Sequence, residues 1–202
     1  MSKRAAILLA DGFEDAEAVI IIDILRRLDI IVDTVSCESS LSVTGYFKLS
    51  VNTDKHITHC TNELYDAVII PGGPIGTQRL SECSEAIQWI KKHNQNECWI
   101  GAICSASVRV LGTNHLLKGR NYVCSGDLWK HCSDGEYIDR NVVEDGNLIT
   151  GRSLGKAFDF SLHLASKILG DSHPSKSQAE HIDYEFRNKP CQSMYNHLLK
   201  RC

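Results

Sequence analysis

Short apolar runs alternate with helix-length segments along the first half of this 202-residue chain. The apolar runs are 5–10, 30–36, 66–70 and 98–103, and the helix-length segments are 14–28, 84–93 and 105–111. Buried strands that alternate with helices are typical of βαβ units, in which helices cover both faces of a parallel sheet. The pattern therefore predicts the α/β fold class, with a mostly parallel sheet.

The second half of the chain is less regular. Residues 121–125, 141–144 and 148–150 are predicted to be short strands, and Leu154 to Leu169 a helix that ends at Gly170. Residues 39–62 are predicted to add a hairpin or an edge strand. We find no linker or repeat, and expect one domain over 1–170, with 171–202 as a polar C-terminal extension of the same domain.

Charge and hydropathy exclude two classes of partner. The net charge is −3 without a basic stripe, so we expect no nucleic-acid binding. The apolar runs, among them Ala5 to Ala10 and Ala18 to Ile22, fall far short of the ~20 residues that span a bilayer, so we expect no membrane insertion.

The nine cysteines are an odd number, and no apolar run of signal-peptide length precedes Asp11. We therefore expect free thiols and a cytoplasmic location. No cofactor is expected, because the chain has neither a dinucleotide-binding glycine motif nor a P-loop. No metal is expected either, because the cluster of His56, His59 and Cys60 has no second half at ligand spacing.

Three segments that follow predicted strands carry the chemically useful residues. They are 11–17, 71–74 and 101–106. In an open α/β sheet, ligands bind at the carboxyl ends of the strands. We therefore expect these three segments to converge on one crevice.

Cys104 stands where a buried strand passes into a helix with no room for a loop, which is the pattern of a nucleophile elbow. A thiol at a helix N-terminus has a lowered pKa, so the sequence predicts a thiolate that is both nucleophilic and easily oxidised. The alternative is a buried structural cysteine that packs like a small apolar residue.

Glu17 belongs to a cluster of acids with Glu14 and Asp15. Clustering and burial would raise its pKa, and a protonated carboxyl beside a thiol would serve as general acid or base. Residue types alone favour the alternative that all three acids complement the helix dipole. Gly72-Gly73, with the Ser105 amide, would suit an oxyanion hole, although the glycines alone are better explained by a plain turn that ends the strand.

Together, these segments resemble a known family over roughly residues 4–170. The carrying segments are Ala10 to Val19, Asp23 to Leu28, Tyr65 to Gly73, Leu80 to Glu82, Ala102 to Cys104, Asp145 to Ser153 and the helix from Gly155 to Leu169. They are similar to the ThiJ/PfpI superfamily and, within it, to the clade of the parkinsonism-associated protein deglycase DJ.

The resemblance implies a flavodoxin-like, three-layer α/β sandwich that is usually a homodimer. It also implies that Cys104 is the nucleophilic, oxidisable cysteine and Glu17 its proton-carrying partner. Gly73 and Ser105 would supply the oxyanion-hole amides. In this family the cysteine oxidises to a sulfinate that the glutamate stabilises.

The chain departs from the family pattern near the expected catalytic cysteine. Many members carry a histidine on the strand after the nucleophile helix, whereas Ser125 falls near that position here. His131 is close in sequence, but the sequence does not bring it to the thiol. Residues 105–107 read Ser-Ala-Ser where the clade more often has Ala-Gly-Pro.

Three functions remain open. The first is a glyoxalase or deglycase that converts small 2-oxoaldehydes such as methylglyoxal to 2-hydroxy acids without glutathione. The second is a redox-sensing protective chaperone of oxidative stress, in which Cys104 oxidises. The third, a cysteine peptidase or amidohydrolase, is the weakest, because a base on the nucleophile is missing.

Overall fold

The computed structural model describes residues 2–185 and contains eleven strands and five α-helices in that range. The strands are β1 Arg4–Leu9, β2 Ile31–Ser36, β3 Ser42–Thr44, β4 Ser50–Asn52, β5 Lys55–His56, β6 Ala67–Ile70, β7 Trp99–Ile103, β8 Asn121–Tyr122, β9 Glu136–Tyr137, β10 Val142–Asp145 and β11 Leu148–Gly151. The helices are α1 Asp15–Arg27, α2 Pro74–Glu82, α3 Ser84–Gln95, α4 Ala157–Leu169 and α5 His173–His181.

Seven strands form one sheet in the order β10-β11-β7-β6-β1-β2-β5. All neighbours in it run parallel except β10, which pairs with β11 as an antiparallel hairpin. The prediction of a mostly parallel sheet is therefore confirmed. Strand β2 lies on one side of β1, and β6, which follows later in the chain, lies on the other side. The direction of winding therefore reverses at β1, and the crevice of such a fold lies at the carboxyl ends of the strands at this point.

Helices cover both faces of the sheet, because side chains of the central strands alternate between two apolar clusters. On β1, Ala6 and Leu8 pack with residues of α2 and α3, whereas Ile7 and Leu9 pack with residues of α1 and α4. Both clusters are buried, as expected for strands enclosed on both sides. This confirms the flavodoxin-like three-layer sandwich.

Several predicted elements differ from the structure. The sequence prediction missed α2, which starts at Pro74 directly after the glycines, since proline is well suited to the first turn of a helix. The helix predicted over 105–111 is a short, wide helical segment over Ser107–Gly112. The strand predicted over 121–125 is reduced to β8, which pairs with β9 outside the main sheet.

The middle segment forms both of the predicted alternatives. Strands β3 and β4 make an antiparallel hairpin, and β5 pairs with β2 at the edge of the sheet. None of the helices over residues 2–185 has the length and apolar character needed to cross a membrane.

The first part of the predicted extension packs against the domain. Helix α5 contacts α4, and Ala179 is buried in a small cluster with Ile24 and Leu162. Residues 186–202 of that extension lie outside the described residues. The domain boundary at residue 170 stays a prediction.

Candidate active site

The elbow predicted at Cys104 is present. Cys104 follows β7 with a φ of 63°, a left-handed conformation that non-glycine residues adopt rarely and that marks functional turns. Its amide N–H donates to the Gly151 carbonyl at 2.9 Å, and its carbonyl accepts from the Ser125 amide at 3.2 Å. The backbone on both sides therefore holds the turn in place.

The three acids at the start of α1 have different environments. Asp15 accepts hydrogen bonds from the amides of Phe47 and Leu49, both at 2.8 Å, and so fastens the β3–β4 hairpin. Glu14 is half-buried. Glu17 alone is completely buried, and its Oε2 accepts a hydrogen bond from the Gly72 amide at 2.8 Å. The acids therefore do more than complement the helix dipole, which was the alternative: Asp15 holds the hairpin and Glu17 is buried against Gly72.

Burial raises the pKa of the Glu17 carboxyl to about 7, and the nearby charge of Glu14 adds to the rise. The Gly72 amide, the Cys104 thiol and the Leu154 amide oppose it. The second carboxyl oxygen, Oε1, is buried and lacks a well-formed hydrogen bond among residues 2–185. The carboxyl group is therefore able to gain or lose a proton near neutral pH.

This raised pKa predicts a pH-dependent stability. The unfolded carboxyl ionises near its ordinary pKa of 4.5, while the folded one stays protonated up to about 7. Between these values the folded state binds more protons, so stability falls as pH rises. We expect wild type to lose about 3 kcal/mol of unfolding free energy relative to Glu17→Gln across this window. Urea denaturation at a series of pH values measures the difference.

Glu14→Gln is the matched control for this experiment. Glu14 also has a raised pKa, but it is only half-buried, so its removal should change the slope of stability against pH much less. Parallel stability curves for wild type and Glu17→Gln between pH 4 and 8 would contradict a raised pKa at Glu17.

The Cys104 thiol does not have the lowered pKa that the sequence predicted. Burial and the negative charge of Glu17 raise its pKa to about 12, against the opposing hydrogen bonds of Ser125 and the Ser105 amide. The helix that follows is short and wide, so its dipole is weak compared with these effects. Cys104 therefore keeps its proton while Glu17 is ionised.

Gly72 lies against both the thiol and the carboxyl group. A Cβ at this position would lie 2.6 Å from both Glu17 Oε2 and Cys104 Cβ, and 3.0 Å from Cys104 Sγ. All three distances are too short for a methyl group. The close approach of thiol and carboxyl thus depends on the missing side chain of Gly72.

We expect Gly72→Ala to push Cys104 and Glu17 apart. The added methyl group should destabilise the fold by about 1–3 kcal/mol, the usual cost of overpacking. Urea denaturation measures the loss. Gly155→Ala is the control, because a Cβ there meets nothing within 4 Å, and its stability should stay close to wild type. Equal stability of both variants would contradict the close contact.

Of the two amides predicted for an oxyanion hole, the structure places that of Ser105 at the thiol, and Gly73 directly follows Gly72, which lies against the thiol. The Ser105 amide donates to the Cys104 sulfur, and the Gly73 amide has no acceptor among the described residues. Thr77 joins their loops: its hydroxyl donates to the Gly73 carbonyl at 2.6 Å and lies 3.3 Å from Ser105 Oγ. Sequence reasoning missed Thr77, since it lies on the helix α2 that was not predicted. The role of the two amides stays a prediction.

Ser125 occupies the neighbourhood of the thiol where family members often have a histidine. Its side chain hydrogen-bonds Cys104, whereas His131 is exposed on the turn Leu128–His131. His56, of the cluster considered for a metal, contacts Thr58 and the Glu38 carbonyl instead. No group of three potential metal ligands occurs within residues 2–185.

A cleft of about 300 Å³ lies at the amino ends of the central strands, opposite Cys104, and is lined by Lys3, Asp66, Cys98 and Lys167 among others. These residues precede β1, β6 and β7 or belong to α4. Ligand sites of open α/β sheets lie at the carboxyl ends of the strands, so the chemistry of Cys104 and Glu17 is the better indicator of the active site.

Solved structures with this fold include a close match. The crystal structure of a cysteine-to-alanine mutant of a DJ-1 superfamily protein from Salmonella typhimurium is 48% identical, with a TM-score of 0.90. The match covers 91% of this chain and all of that one.

Curated relatives include Protein DJ-1 homolog A of Arabidopsis thaliana, 32% identical over 80% of this chain, which spans only 41% of that longer relative. The glutathione-independent glyoxalase DJR-1.2 of Caenorhabditis elegans is 29% identical, and the match covers 83% of this chain and 90% of that protein. The family model described as DJ-1/PfpI family matches residues 3–167. With the sandwich fold and the elbow at Cys104, this match shows that the chain belongs to the DJ-1/PfpI family.

Proposed function

We propose that this protein is a glutathione-independent glyoxalase or deglycase that converts 2-oxoaldehydes such as methylglyoxal to 2-hydroxy acids. The observation that carries the proposal is the contact between the Cys104 thiol and the buried Glu17 carboxyl, whose pKa is raised to about 7. One group is a nucleophile and the other exchanges protons near neutral pH, which are the two roles that this reaction needs.

The reaction begins with the thiol proton. Glu17 in its ionised form accepts the proton of Cys104, and the sulfur adds to the aldehyde carbon. Glu17 then returns that proton to the new oxyanion, which completes the hemithioacetal and leaves the carboxylate ionised again. The first transfer removes the negative charge that raises the pKa of the thiol, so it is easier than the pKa values of the separate groups suggest. The amides of Gly73 and Ser105 would stabilise the developing oxyanion.

Glu17 then moves a second proton. It takes the proton from the former aldehyde carbon to give an enediol and returns a proton to the neighbouring carbon, which leaves a thioester on Cys104. Water hydrolyses the thioester to the 2-hydroxy acid and restores the thiol. The sum is 2-oxoaldehyde plus water to 2-hydroxy acid, so no cofactor, oxidant or reductant is consumed.

Turnover of methylglyoxal without glutathione tests the proposal directly. We expect reduced, folded wild-type protein to form lactate, which an enzymatic lactate assay detects. No lactate from such protein would contradict the glyoxalase proposal.

Redox sensing is the second candidate. Cys104 is partly exposed, and the Ser125 hydroxyl and the Ser105 amide face its sulfur as donors for an oxidised form. A redox-sensing role predicts that mild peroxide oxidises Cys104 before the other cysteines, and peptide mass spectrometry tests this order. The raised thiol pKa argues against it, because the thiolate is the species that peroxide oxidises.

A peptidase or amidohydrolase has the least support, because within residues 2–185 the thiol is hydrogen-bonded to Ser125 and not to an imidazole. The cytoplasmic location and the homodimer are also proposals. They rest on the free thiols and on the family resemblance.

A further inference from the structure

Two cysteines away from the elbow contact each other. Cys37 follows β2 directly, and Cys83 lies at the junction of α2 and α3. Both pack against the apolar cluster on the α3 face of the sheet, and both are partly exposed. The Cys37 thiol donates a hydrogen bond to the Cys83 sulfur. The fold thus brings together two thiols that are far apart in the sequence.

The surroundings make the two thiols unequal. The hydrogen bond from Cys37 lowers the pKa of Cys83 to about 6, and the amides of Glu85 and Ala86 at the start of α3 contribute, against burial and the Glu85 charge. The same contact and burial raise the pKa of Cys37 well above its ordinary value. The Cys83 sulfur also lies 3.9 Å from Glu85 Oε2, to which the protonated thiol donates a hydrogen bond. Cys83 is thus the more acidic of the two thiols, and Cys37 the one that holds its proton more firmly.

We propose that Cys37 and Cys83 are a second redox site, distinct from Cys104, which a hydroperoxide converts to an intramolecular disulfide. A nucleophilic thiolate beside a second thiol is the arrangement of an attacking and a resolving cysteine. The proposal does not depend on glyoxalase activity.

The reaction proceeds in two balanced steps. The Cys83 thiolate attacks one oxygen of the hydroperoxide, the O–O bond breaks, and the sulfur becomes a sulfenic acid as the alkoxide or hydroxide leaves and takes up a proton. Cys37 then attacks the sulfenic sulfur, an S–S bond forms, and water leaves. Two thiols are oxidised, and one hydroperoxide is reduced to water and an alcohol or a second water.

The disulfide would connect two segments that already approach each other. Glu38, next to Cys37, pairs with Arg79 of α2 and accepts a hydrogen bond from the Asp11 amide at 3.0 Å. A Cys37–Cys83 bond would therefore link the end of β2 to α2 where an ion pair already holds them.

Trypsin separates the two cysteines cleanly. Cleavage after Arg27, Lys48, Arg79 and Lys91 releases peptides 28–48 and 80–91, which contain Cys37 and Cys83 as their only cysteines. The protein is treated with a small molar excess of hydrogen peroxide, alkylated, digested and analysed by non-reducing mass spectrometry. We expect the linked pair 28–48/80–91 to become the main form of both peptides and to disappear after reduction.

Variants separate the roles of the two thiols. Cys37→Ser should lose the linked pair and leave a sulfenic acid on Cys83 that dimedone traps, whereas Cys83→Ser should leave Cys37 alkylated. Cys98→Ser, the matched control, should form the linked pair as wild type does, since Cys98 lies before β7, away from both. Recovery of both wild-type peptides as unlinked, alkylated forms at a peroxide dose that oxidises Cys104 would overturn the proposal.

Discussion

Replacing Cys104 by serine is expected to abolish lactate formation from methylglyoxal in the absence of glutathione. The serine hydroxyl is about as large as the thiol, but it is a far weaker acid and nucleophile. It should therefore add to the aldehyde too slowly to replace the hemithioacetal that Cys104 forms. Loss of a covalent nucleophile lowers turnover by at least about a thousandfold in well-studied enzymes. Lactate measured over time under saturating methylglyoxal gives the ratio of kcat values.

Cys98→Ser is the matched control for this variant. Cys98 is also partly exposed and immediately precedes β7, whereas Cys104 immediately follows the same strand. The control should therefore keep wild-type turnover, because it removes a thiol at the other end of the same strand. Equal lactate from Cys104→Ser and wild type would mean that Cys104 is not the nucleophile.

The sequence predicted the layers of the fold well, because its buried strands are short apolar runs bounded by turn residues. Residues 66–70 and 98–103 became β6 and β7 within one residue at their starts. Helix α2 was missed because Pro74 and Gly76 weaken every local helix signal. What starts that helix is the backbone after Gly73, which has a φ of 103° that the sequence does not display.

The site was predictable in part. The elbow at Cys104 followed from a strand that meets a helix without a loop, and its φ of 63° agrees with that prediction. The choice of Glu17 over Glu14 and Asp15 rested on the family resemblance, since the three acids look alike in the sequence. Only the fold buries Glu17 and directs Asp15 to the β3–β4 hairpin.

Electrostatics was the part that the sequence predicted wrongly. A helix start predicts a lowered pKa for Cys104, but burial and the Glu17 charge outweigh the short helix and raise it. The same rule is better suited to Cys83, whose sulfur accepts hydrogen bonds from Cys37 and from amides at the start of α3. No spacing pattern joins Cys37 to Cys83, because β2 and the α2–α3 junction meet only in the tertiary structure.

Glu17→Gln is expected to lower kcat for lactate formation by at least about a hundredfold, the usual contribution of a positioned general acid or base. The glutamine carbonyl can still accept the hydrogen bond that Gly72 donates to Glu17 at 2.8 Å, so the site should keep its shape. The amide cannot carry a proton between the two carbons of the bound aldehyde. We therefore expect kcat to fall while KM changes little, as measured by steady-state lactate formation near pH 7.

Glu14→Gln distinguishes proton transfer from a general loss of negative charge. It removes one carboxyl group from the same helix start, and its only effect on Glu17 is through charge, since Glu14 raises the pKa of Glu17. Removal of Glu14 should thus lower the pKa of Glu17 and leave kcat within a few-fold of wild type. Full turnover in Glu17→Gln would rule out Glu17 as the proton carrier. Equal losses in both variants would instead indicate that the charge of the helix start, and not a proton on Glu17, supports the reaction.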